Sequence, residues 1–140
     1  MLPMYYITNI SQFRYRTIFV LLGSFVCYIG ALLELFADKQ MRNFRKDAKN
    51  RGKNMDTGLW SYSRHPNYLG EILFWWGILI AGIGQMPWWG YCGAFVITAL
   101  FEGATIGMME KKLLAEKDGY RKYQDEVSRL IPLPRKKNQA

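Results

Sequence analysis

The sequence has little of what a metal enzyme or a disulfide scaffold needs. One histidine and two cysteines occur in 140 residues, which removes a His-rich metal site and the zinc-hydrolase readings that depend on one. No metal site is expected. Cys27 and Cys92 both lie inside apolar segments, where they make no metal spacing and are not expected to pair with each other. A GxGxxG run and an alternation of strand and helix patterns are both missing, so a soluble dinucleotide fold is excluded. There is no internal repeat and no low-complexity tract. Charge is the last absence: residues 17–33 carry none, and neither do residues 72–101.

Those uncharged stretches say more than the mean hydropathy of -0.12, which averages apolar segments with strongly polar ones. A bilayer's hydrocarbon core is about 30 Å thick and takes roughly 20 apolar helical residues to cross. Residues 17–37 meet that requirement once. The second stretch, extended by its flanks, reads as a helical hairpin over 67–84 and 88–108, reversed where Gly82, Gly84, Gln85 and Pro87 cluster. The expected fold is an all-α integral membrane helical bundle of about three transmembrane helices. A C-terminal amphipathic helix over 108–126 follows, broken near Asp118 and Gly119. All 140 residues are expected to form a single membrane domain. Trp75, Trp76, Trp88, Trp89 and Tyr91 fit an interfacial aromatic belt.

The formal charge of +8 is unevenly placed. From Asp38 to Tyr68 eight Lys or Arg face three acids, and from Glu110 onward nine face five. Three spans put both regions on one side, so the positive-inside rule predicts a cytoplasmic basic loop and C-terminus in a multi-pass protein. A surplus placed this way serves membrane lipid headgroups or a phosphorylated ligand. No nucleic-acid partner is expected.

Chemistry concentrates in residues 58–71, GLWSYSRHPNYLGE, where polar groups run directly into an apolar segment. An ionisable residue in such a segment is costly unless it faces a cavity or a partner, so Glu71 reads as a site residue. Pro66 suits the first turn of a helix. Asn67 and Glu71 then share one face, and the helix start offers free N–H groups to anything anionic. Upstream, Glu34, Asp38, Arg42 and Arg45 recur at spacings of four, four and three, one face of a helix that continues past the membrane boundary; the same spacing also serves a solvated face. The boundary thus gathers Asp38, Arg42, Arg45, Lys53, Arg64, His65, Asn67, Tyr68 and Glu71. A cationic rim over a polar floor suits a nucleotide with its phosphates outside and its reactive ring inside.

GLWSYSRHPNYLGE resembles the signature of the C-terminal domain of the steroid 5-alpha-reductase family. Its flanks do too: ADKQMRNFRK over 37–46 and MEKKLLAEKDGYRKYQDEVSRLIP over 109–132. The resemblance covers residues 32–134. It implies an NADPH-dependent reductase of a carbon–carbon double bond conjugated to a carbonyl, acting on a steroid- or lipid-like enone within the bilayer. By matching position, Asn67 and Glu71 would hold the nicotinamide end, while Asp38, Arg42, Arg45 and Lys53 would engage ribose, adenine or phosphates. Tyr123 would reach the cofactor from the C-terminal segment, and Arg64, His65 and Tyr68 would shape the wall. Glu71 and Tyr68 are the catalytic candidates. The family's preceding spans have no counterpart here, so the pocket is expected to be closed by a second copy or by a missing N-terminal half. Isoprenylcysteine carboxyl methyltransferases, which bind S-adenosylmethionine, resemble the same RHP-x-Y-x-G core and give the alternative. A third reading is a cofactor-binding membrane protein without turnover.

Overall fold

The computed structural model describes residues 14–136, and among these there are helices and no strands. Helix α1, Arg14–Lys46, is 33 residues long, about 50 Å at 1.5 Å per residue. It contains no proline, and Arg45 and Lys46 in its last turn complement the negative end of the helix dipole. One face carries exposed Leu21, Phe25 and Tyr28. The opposite face buries Gly23, Gly30 and Ala37, spaced seven residues apart.

The two glycines of that face meet helix α2, Pro66–Ala81, while Ala37 packs against Met55 and Trp60. A Cβ on Gly30 would lie 2.6 Å from the carbonyl oxygen of Gly70, and one on Gly77 would lie 2.6 Å from the Cys27 nitrogen. Only glycine lets the two backbones approach so closely, the device by which membrane helices gain dispersion contacts without a hydrophobic driving force. Pro66 occupies the first turn of α2 and Gly82 follows its last residue, so α2 is bounded at both ends by residues that do not extend it. Gly84, at φ 75°, turns the chain into helix α3, Trp88–Glu116. α3 opens with a 3-10 turn at Trp88–Tyr91 and contains a π-helical turn at Leu100–Thr105. Gly119, at φ 78°, breaks the chain before the short helix α4, Tyr120–Glu126. The break falls where Asp118 and Gly119 predict it.

α1 and α3 are long and apolar enough to cross a membrane, and their apolar windows are only 11% buried. Apolar surface so exposed on a bundle needs lipid rather than water around it. The chain is an all-helical membrane protein. The middle helix differs from expectation: α2 has 16 residues, about 24 Å, short of the roughly 30 Å core. Two helices of spanning length therefore flank a shorter one, because Pro66 and Gly82 stop it where the uncharged stretch alone marks no boundary. Trp76 also departs from the belt reading. Its indole N–H donates to the Thr98 hydroxyl at 2.9 Å and its ring meets Phe95 edge-on, so it joins α2 to α3. Trp88, 80% exposed beside the turn, keeps the position of a belt residue. Cys27 and Cys92 are both free.

Candidate functional site

Both basic regions meet at the end of the bundle where α1 finishes, α2 begins and α3 runs out. A cavity of about 740 Å³ lies there. The C-terminal half-turns of α1 supply Asp38, Met41, Phe44 and Arg45, and the loop over 46–56 supplies Arg51, Lys53 and Asn54. The start of α2 contributes Arg64, His65, Asn67 and Tyr68; α3 and α4 close it with Met109, Lys112, Lys117 and Tyr123. Of the ten expected binding residues, Asp38, Arg45, Lys53, Arg64, His65, Asn67, Tyr68 and Tyr123 line this cavity; Arg42 and Glu71 do not.

Helix geometry explains the two exceptions. At about 100° per residue, Arg45 sits about 20° from Asp38 on the side shared with Met41, whereas Arg42 falls about 40° to the other side. Arg42 is exposed there. Glu71 lies one turn above Asn67 and is half-buried against α1, where Glu34 is within electrostatic range of Glu71 and Asp38.

The floor is organised by a carboxylate that sequence reasoning did not single out. Glu110 of α3 accepts from Arg64 Nε at 2.8 Å, lies 3.0 Å from His65 Nε2 and accepts from Gln124 Nε2 at 3.0 Å. Arg64 also donates through Nη1 to the carbonyls of Gln124 and Val127, and its backbone N–H donates to Ser128 at 2.9 Å. Arg64 therefore pins the end of α4 to the start of α2, rather than pairing with Glu71. His65, 2% exposed, sits at the N-cap of α2, and its ring stacks 5.7 Å from that of Tyr68. Tyr68 in turn packs 5.1 Å from Phe101, and among the described residues its hydroxyl has only the Met109 sulfur, at 3.8 Å, as partner. Among the described residues Asn67 Oδ1 is buried with no hydrogen-bond partner. Asn67 itself lines the cavity at the start of α2.

Tyr123 lines the cavity while its hydroxyl is engaged with the loop. Its hydroxyl donates to the Trp60 carbonyl at 2.6 Å, and the Trp60 indole donates to the Ala37 carbonyl at 3.1 Å. Tyr123 presents its ring to the cavity and spends its hydroxyl on holding the loop. Burial pushes the phenols of Tyr120 and Tyr123 upward, that of Tyr120 to about 12 with a further push from the Glu110 carboxylate. Lys117 donates to the Lys53 carbonyl at 2.9 Å, and burial, then the neighbouring Arg45 charge, lowers its pKa.

The family model described as a protein of unknown function (DUF1295) matches residues 1–127. The chain belongs to the DUF1295 family. Two curated relatives place this DUF1295 protein further. Uncharacterized protein C594.04c of Schizosaccharomyces pombe is 33% identical over 94 residues, 64% of this chain and 27% of that protein. The 3-oxo-5-alpha-steroid 4-dehydrogenase 1 of Bos taurus is 34% identical over 68 residues, 49% of this chain and 26% of that enzyme. The chain thus spans about a quarter of the length of these curated relatives. No solved structure matches. The steroid 5-alpha-reductase resemblance read from residues 58–71 and their flanks is borne out.

Besides Glu110, which braces the wall, the lining residues Lys46, Arg51, Asn54, Lys112 and Lys117 escaped the sequence reading. Glu110 alone had a legible signal, as the first acid after the third apolar segment at the depth of Arg64. The others lie in polar stretches where nothing in the local pattern separates a wall residue from a solvated one.

Proposed function

We propose that this DUF1295 protein is an NADPH-dependent reductase of a carbon–carbon double bond conjugated to a carbonyl, acting on a steroid- or lipid-like enone. The observation that carries the reading is a cavity of about 740 Å³ rimmed by Arg45, Lys46, Arg51, Lys53, Lys112 and Lys117, with Asn67 on its wall. A set of phosphates needs cations, and these are gathered in one cavity of ligand size. The name of the bovine relative, a 3-oxo-5-alpha-steroid 4-dehydrogenase, supports the substrate class.

When bound, the reduced nicotinamide supplies the hydride for the electron-poor alkene carbon. The chain's own residues do the rest. The rim cations hold the phosphates at the membrane surface, with Arg45 fixed on α1 and Lys53 on a loop tied down by Lys117. Asn67, on the wall at the start of α2, orients the carboxamide. Glu110 holds His65 and Arg64 still, and so fixes the first turn of α2 beneath the ligand. Of the two catalytic candidates, Tyr68 faces the cavity with a nearly free hydroxyl, and its O–H is positioned to donate the proton that completes the reduction. The positive-inside rule places this end of the bundle in the cytoplasm, where NADPH is available. A hydrophobic substrate arrives from the bilayer, with the remaining wall supplied by a second copy or by spans outside these residues.

Ligand-induced stabilisation of the purified protein in detergent tests the reading. NADPH is expected to raise the melting temperature, and Asn67→Ala is expected to weaken its binding about tenfold. Arg45→Ala should weaken NADPH more than NADH. Loss of nicotinamide absorbance with a panel of enones then reports turnover. Stabilisation by S-adenosylmethionine and not by NADPH would overturn the proposal in favour of methyl transfer.

A further inference from the structure

Helix α1 turns one face to the bundle and leaves another open. On the open face Leu21, Phe25, Tyr28 and Leu35 are 65%, 63%, 63% and 55% exposed, and Lys39 and Arg42 beyond them are exposed as well. At about 100° per residue, all six fall within roughly 100° of one another around the helix axis. They form one stripe. Its chemistry changes at a single level, for the last apolar member is Leu35 and the two cations stand about 6 and 10 Å further along the axis. Among the described residues neither Lys39 nor Arg42 has an ion-pair partner. Asp38 and Arg45, their neighbours on the helix, line the cavity instead. The stripe and the cavity thus share α1 but not a face.

We propose that this stripe binds an anionic phospholipid, with its acyl chains along Tyr28 and Leu35 and its headgroup phosphate on Lys39 and Arg42. The proposal goes beyond the cofactor reading and does not depend on it. A guanidinium fork matches two phosphate oxygens, and the lysine adds a point charge beside it. A zwitterionic lipid brings a cation of its own to the same level, whereas an anionic one leaves the phosphate's charge unopposed, so the pair selects for net negative charge. Charge complementarity also favours lipid over a second copy of the chain. Copies inserted with one orientation can pair along this stripe only in parallel, which sets Lys39 and Arg42 of each against those of the other. Like charges juxtaposed in this way oppose association. Arg42, which the cavity does not use, thereby gains a role.

The test follows the melting temperature of the full chain in a neutral detergent against added phosphatidylglycerol or phosphatidylcholine with the same acyl chains. Phosphatidylglycerol is expected to half-saturate the shift at about a tenth of the concentration or less. Lys39→Gln combined with Arg42→Gln should bring the two lipids to within about twofold, whereas Lys111→Gln, at an exposed cation of α3, should leave the difference unchanged. Equal half-saturation in wild-type protein would overturn the proposal, and so would a preference that the double variant retains. Glycerol phosphate carries the charge without the chains and should give no shift; stabilisation by it equal to that of the lipid would assign the cations to a soluble phosphate instead. Disulfide cross-linking between copies through Phe25→Cys would place a second copy on the stripe and overturn the proposal as well. NADPH binding is a separate measurement, and its failure leaves the lipid comparison untouched.

Discussion

Glu110 serves three side chains from two parts of the chain: Arg64 and His65 before α2, and Gln124 in α4. Its side chain is 11% exposed and that of Arg64 10%, so neither charge has water to fall back on. Removing one partner of such a pair leaves the other desolvated and unpaired, which costs about 3–5 kcal/mol. Glu110→Ala is therefore expected to lower the melting temperature sharply, with Glu110→Gln intermediate because it keeps an acceptor. An alanine variant as stable as wild type would mean that the network is not formed. Sequence shows Arg64 and His65 as an adjacent pair, but their carboxylate lies 46 positions from Arg64, a distance at which no local period links residues.

At the scale of elements, α1 and α2 are held by a seam of glycine against backbone. A Cβ on Gly70 would lie 2.6 Å from both Glu34 N and Gly30 O, main-chain atoms that move only with the whole helix. Gly70→Ala is expected to destabilise by about 1–3 kcal/mol through overpacking. At Gly93 and Gly103 of α3 an added Cβ meets nothing within 4 Å, and there alanine should be neutral or stabilising by up to about 1 kcal/mol. Thermal unfolding in one detergent compares the three variants directly; equal effects at all positions would refute the seam. The seam also positions the site, since Gly70 lies one turn from Asn67 and brings it beside the end of α1. Sequence announces the helices and the ends set by Pro66 and Gly119. Which glycines are packed and which are open depends on the neighbouring helix.

Across the whole molecule, the C-terminal segment acts as a strap under the bundle. Ser63 Oγ donates to Leu130 O at 2.8 Å, the Leu133 N–H donates to Tyr62 O at 3.1 Å, and Arg135 bridges Glu126 and Asp56 at 2.6 and 3.2 Å. Tyr120 and Tyr123 are the buried centre of that strap, packed with Val127. Their phenols are raised above the ordinary value of 10, that of Tyr120 to about 12. A group raised on folding lends stability that is complete below its unfolded pKa and is lost as pH climbs through the folded one. Stability is thus expected to hold up to about pH 10 and to fall between 10 and 12. Tyr120→Phe should flatten that decline, measured as melting temperature against pH; an unchanged slope would show that Tyr120 ionises freely in the folded protein.

The sequence by itself determined that this is an all-helical membrane protein with its cations gathered at one end, because charge-free runs of spanning length and blocks of Lys and Arg are linear properties. It also determined the family resemblance and most of the cavity wall, because Asp38 and Arg45 are tied by helix period and Arg64 to Tyr68 by adjacency. Only the tertiary structure decided that Arg42 and Glu71 stand off the wall, that Tyr123 spends its hydroxyl on Trp60, and that Glu110 is the anchor of the floor. Those outcomes depend on which face of one helix meets another and on contacts between distant segments. The unmatched oxygen of Asn67 belongs to the same class, since an acceptor is known to lack a donor among the described residues only after every neighbour has been placed around it.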